Sequence, residues 1–106
     1  MAKILIWLAS GDKGKLRPGI MYGTNASKRG WVEDVQFVVF GDAETLLLED
    51  ADLFELVQTV GQPFYCKAVA ERVGIVTELE ARGAQVIYVG QRISDLINDG
   101  YQVLTF

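Results

Sequence analysis

The chain has one cysteine and no histidine, so its nucleophilic chemistry reduces to a single thiol, Cys66, in the stretch QPFYCKAVAERVGI at 62–75. A thiolate attacks sulfur and carbonyl centres and exchanges sulfur with other thiols; a neutral buried cysteine does neither and behaves as a small apolar residue. Cys66 follows a β-like run and begins a helical one, with Lys67 beside it and Arg72 within two turns. A helix N-terminus stabilises an anion by about 0.3–1 kcal/mol when exposed and up to about 2 kcal/mol when partly buried. Burial in apolar surroundings works the other way. Exposure therefore decides between a reactive thiol and a core filler, and from the residues alone both readings stay open.

Other chemistries are narrower. Without histidine there is no Ser-His or Cys-His triad and no common zinc site, so no metal is expected. Carboxylates cluster in EDAD at 49–52 and in ELEARG at 78–83, at helical spacings that read as solvent faces rather than as an acid/base pair. The loop SGDKGKLRPG at 10–19 meets neither phosphate-cradle pattern: Gly11 and Gly14 are too close for a Walker loop, and no G-x-G-x-x-G is present. Its Lys13, Lys15 and Arg17 form a basic cluster, read as a solvated loop that could also lend positive potential to the thiol. Trp7 and Trp31 read as core or interface residues, since no basic groove accompanies them.

These residues must be positioned by regular elements, and the chain alternates two kinds. Residues 3–9, 34–40, 63–66, 85–89 and 101–105 are short β-branched and aromatic runs, several of them apolar on both faces as strands covered on two sides must be. Helical patterns lie between them, at 16–29, from Asp42 to a break at 49–52, on to Gly61 and Pro63, at 75–82 before Gly83, and at 92–98 before Gly100. Asp42 is expected to cap its helix with Glu44 in an acidic first turn. The rhythm predicts one α/β domain over 1–106: a three-layer α/β/α sandwich around a five-stranded, mostly parallel sheet.

A parallel sheet places all its carboxyl ends on one edge, where binding sites collect. The candidates there are Ser10, Gly11 and Asp12 after the first strand, Gly41 and Asp42 after the second, Cys66 and Lys67 after the third, and Gly90 and Gln91 after the fourth. Taken singly, each also reads as a turn or a cap. Their expected convergence is the argument for a site.

Composition limits the partners. Of 106 residues 10 are Lys or Arg and 14 are Asp or Glu, a net charge of -4, which argues against polyanionic partners such as nucleic acid or a membrane surface. The apolar run at the N-terminus is interrupted by Gly11 and Asp12 and is too short to span a bilayer. One cysteine forms no internal disulfide, which fits a cytoplasmic setting, and no cofactor motif is present.

Four stretches, taken together and in order, resemble the DsrE/DsrF-like family, which includes sulfur-relay subunits of the TusD kind. They are KILIWLASGD, RGWVEDVQFVVFGDAETLL, FYCKAVAERVGI and GAQVIYVGQRISDLINDGYQVLTF, with the closing VLTF typical. The resemblance implies the same sandwich fold, association into homo- or hetero-oligomers such as a trimer or hexamer, and a cysteine after the third strand that takes sulfane sulfur as a persulfide. That position is Cys66. Family members often carry a second cysteine three residues on, where this chain has Val69, so sulfur would pass to a partner protein's thiol. The implied function is a sulfurtransferase-type carrier between donor and acceptor proteins. The alternatives are a small-ligand or nucleotide-binding module on the same edge, or an oligomeric scaffold, with Cys66 unreactive. The apolar residues at 44–60 exceed what one helical stripe needs and suggest an interface with another subunit.

Overall fold

A computed structural model describes residues 1–106. Five strands, β1 (Lys3–Leu8), β2 (Asp34–Val39), β3 (Phe64–Cys66), β4 (Gln85–Ile87) and β5 (Gln102–Thr105), pair in the order β4-β3-β2-β1-β5. Every pairing is parallel, as the double-sided apolar strands require, and all five fall inside the runs expected from sequence. The six helices are α1 (Lys13–Lys28), α2 (Asp42–Glu49), α3 (Ala51–Gln58), α4 (Lys67–Val73), α5 (Val76–Ala81) and α6 (Gly90–Asn98). Together they make the three-layer α/β/α sandwich.

Strand alternation sends side chains to two faces, and the two differ. On the first face Ile4, Ile6, Leu8, Val35, Phe37, Val39, Tyr65 and Val86 pack under α1, α2, α3 and α5, with Ala70 of α4, in a cluster of 20 buried residues. On the second face Leu5, Val38, Phe64 and Cys66 pack under α6, with Val89 and Ile93, in a cluster of six. Close approach explains the thickness of the first layer: a Cβ added at Gly23 of α1 would lie 2.5 Å from Ile6 and Phe37, and one at Gly19 would lie 2.4 Å from Phe106. These glycines let α1 lie directly on the sheet.

Several local expectations are revised. α1 begins at Lys13, not near 16, because Asp12 caps it by accepting a 2.8 Å hydrogen bond from the Gly14 amide. The basic cluster is thus the first turn of a helix rather than a free loop. The residue before α2 is Gly41, at φ 60° and ψ -140°, a conformation that a side chain disfavours; Asp42 is the first helical residue and makes no cap hydrogen bond. The stretch after Cys66 is a separate helix, α4, ended by Gly74 in the left-handed conformation at φ 77°. The break at 49–52 is Asp50, extended and capping α3 through the Leu53 amide. That break lets 44–60 fold as two helices against one core: Leu47, Leu53, Phe54 and Val57 are buried, and Leu46, Leu48 and Leu56 pack half-buried on the same cluster. Part of the apolar excess expected to form an interface is therefore used within the chain, and Leu46, Leu48 and Leu56 keep some exposed surface.

Candidate functional site

Cys66 is the last residue of β3 and immediately precedes α4, so its side chain emerges at the carboxyl edge on the second face. It is 4% exposed, packed among Leu5, Val38, Phe64, Val89 and Ile93. It is not sealed in. Cys66 lines an open cleft of about 470 Å³, seven of whose nine lining residues are apolar.

The cleft is built from strand ends and helix starts. Trp7 of β1 and Phe40 just after β2 form one wall, their rings 5.3 Å apart and inclined at 52°. They share the face of Cys66 because they continue the alternation of Leu5 and Val38. Gly90 opens α6, and Ile93 and Ser94 complete that side. Tyr88 lies on the rim, 62% exposed, its hydroxyl donating to Glu71 Oε1 at 2.8 Å while Lys67 Nζ stands 5.4 Å from its ring centroid. The Glu71 hydrogen bond, then its charge, pushes the Tyr88 hydroxyl above the ordinary tyrosine range, so Tyr88 stays a neutral donor.

Of the candidates read from sequence, the structure brings Cys66, Lys67 and Gly90 to this cleft and its rim. Gly11 and Asp42 meet elsewhere: a Cβ at Gly11 would lie 2.9 Å from Asp42 Cβ, and both line a separate groove of about 430 Å³ with Thr45, Leu46 and Glu49. Ser10 accepts from the Asp12 amide at 3.0 Å and Asp12 caps α1, so both shape the turn. Gly41 is the connection into α2, and Gln91 is bonded within α6 to Asp95 at 2.8 Å. The single convergent edge expected from sequence is therefore two clefts. The ends of β1 and β2 feed both: Trp7 and Phe40 line the cleft of Cys66, and Gly11 and Asp42, further along the same connections, line the groove beside α2.

The basic cluster serves the first face. Lys13 Nζ lies 2.6 Å from Asp50 Oδ2, and that hydrogen bond, with the Leu53 amide next, holds the Asp50 carboxyl below the ordinary aspartate range. Its charge is directed to the start of α3, not to Cys66. Sequence reasoning missed Phe40 and Tyr88; for Phe40 a signal was available, an aromatic at a strand's end two residues from Val38, a buried residue of the same face, whereas Tyr88 follows β4 out of its alternation and carries none. No group of three or more Asp, Glu, Cys or His side chains could hold a metal ion. No helix is long and apolar enough to cross a membrane.

No family model and no curated protein matches the chain. Its fold is similar to that of a conserved protein of unknown function, BT1422, from Bacteroides thetaiotaomicron, with a TM-score of 0.85 and 21% identity over 98% of this chain and 94% of the other. At that identity the likeness establishes the fold alone.

Proposed function

We propose that the protein carries sulfane sulfur on Cys66 and passes it to the thiol of a partner protein. The observation that carries this reading is that the chain's one thiol lies on the wall of its most apolar cleft, at the carboxyl edge of a parallel sheet. The DsrE-like resemblance of the surrounding stretch supports it independently.

The chemistry, written from the thiolate, balances without a cofactor. The Cys66 thiolate attacks the outer sulfur of a donor persulfide R–S–SH; the donor's S–S bond breaks, and R leaves as a thiol. Cys66 then holds a persulfide. An acceptor thiolate attacks its outer sulfur, the new S–S bond breaks, and the Cys66 thiolate returns. Sulfane sulfur changes owner and there is no net oxidation. Because Cys66 is 4% exposed, a donor must reach into the cleft, as a small persulfide or a protruding loop does and a flat protein surface does not.

The nucleotide-binding alternative has less support, since the groove holding Gly11 and Asp42 also presents Glu49, and two carboxylates repel phosphate. Association into a homo-oligomer belongs to the same proposal. Its surface would draw on the half-buried Leu46, Leu48 and Leu56 of 44–60, and on exposed side chains such as Trp31 at 54% exposure and Met21 at 44%. A light-scattering mass equal to one chain at micromolar concentration removes that part.

The deciding experiment is intact mass spectrometry after incubation with a small-molecule persulfide. The wild type is expected to gain one sulfur atom that a reductant removes, and Cys66→Ala is expected to gain none. Alanine is the right control, because a serine hydroxyl among Leu5, Val38, Phe64 and Val89 would cost about 1–3 kcal/mol. An unmodified wild type points instead to a ligand-binding or scaffold role with an inert Cys66.

A further inference from the structure

The first face contains a group that the Cys66 chemistry does not use. Glu44, in the first turn of α2, is 0% exposed, and neither carboxylate oxygen has a hydrogen-bond partner in the chain. Tyr65, the neighbour of Cys66 on the opposite side of β3, is also 0% exposed, and its hydroxyl is likewise unpartnered. Two unpaired polar groups in one apolar layer are costly, and they mark a site where the fold gives up stability.

The backbone on either side supplies a means of movement. α2 has eight residues and is joined to the rest of the chain through two non-helical ones, Gly41 at φ 60° and ψ -140° and Asp50 at φ -117° and ψ 93°. Its neighbours α1 and α3 are tied together at Lys13 and Asp50, so α2 can leave the sheet without breaking that pair.

We propose that Glu44 is a proton-operated latch: with its carboxyl neutral the first turn of α2 lies against β3 beside Tyr65, and loss of the proton releases α2 about Gly41 and Asp50.

The surrounding charges leave the latch to Glu44 alone. From β3, Tyr65 is the titratable group that faces it: burial first, and then the nearness of Glu44, holds the Tyr65 hydroxyl far above the ordinary tyrosine range. From α1, Lys13 and Arg17 act on Asp50. On α2 itself Asp42 and Glu49 are exposed, as are Asp52 and Glu55 on α3. Desolvation accordingly raises the Glu44 carboxyl to about 8, with no cation to offset it.

Native-state amide exchange, corrected for the intrinsic pH dependence of exchange, tests the latch. The opened state ionises near the ordinary 4.5 and the closed state near 8, so α2 opening is expected to rise by up to roughly tenfold per pH unit between them and to level off above. At each pH the amides of α2 should be less protected than those of α1, because they exchange through a smaller opening. Glu44→Gln should remove the slope in α2, and Glu44→Leu, which also removes the unpaired oxygens, serves if the glutamine variant folds poorly. Equal protection of α1 and α2 would overturn the latch, as would a slope that survives in either variant.

Discussion

The two faces of the sheet are made from the same strands and do different work. The first holds 20 buried residues with five helices contributing to it; the second rests on six and leaves a cleft beside Cys66. The difference teaches where a small α/β protein has room for chemistry. The larger layer closes its one buried acid, Glu44, off from solvent. The smaller layer leaves a cleft with Cys66, 4% exposed, in its wall.

Truncating an aromatic on each face should show the contrast most strongly. Phe37→Ala, at a position 0% exposed on the first face, is expected to cost about 3–5 kcal/mol in urea unfolding. Phe40→Ala, half-buried at the cleft, should cost only about 1 kcal/mol in the same measurement. Equal losses would mean that the second face carries as much of the fold as the first.

The next effect is on pH dependence. Glu44 has a native ionisation raised above its unfolded value, so its stabilising contribution is full below about 4.5 and is lost as pH rises toward 8. Wild-type stability should therefore fall across that window, by at most about 1.4 kcal/mol per pH unit from this group. Glu44→Leu should flatten the fall and be more stable than wild type at pH 8, as measured by paired denaturant curves. A variant that is less stable throughout would show that the carboxyl has partners after all.

Overpacking should rank third. Gly23→Ala places a methyl 2.5 Å from Ile6 and Phe37 and is expected to lose about 1–3 kcal/mol without touching Cys66 alkylation. The smallest change should come from Lys13→Ala, visible at low ionic strength and erased by salt, as for an exposed ion pair. The rate of Cys66 alkylation should not move. If it does, the basic cluster reaches the second face and its assignment to Asp50 is incomplete.

What the sequence determined by itself is the set of elements and their sense. Double-sided apolar runs separated by helical ones leave a parallel sheet as the arrangement that buries both faces, and Cys66 falls at a strand's end by register alone. Glycines and aspartates marked most boundaries for local reasons, though Asp12 hid a helix start inside what read as a basic loop. Tertiary structure decided the rest, because it depends on which helix lies over which strand. It divided the expected edge into two clefts, turned Lys13 toward Asp50, and set Phe40 and Tyr88 around the thiol. It also buried Glu44, which by position is an ordinary acidic first-turn residue but shares a helix face with Leu47 and so goes inward when α2 docks. Local propensity can state where a helix begins; the side chain that must face the core follows from docking, which only packing against distant residues can fix.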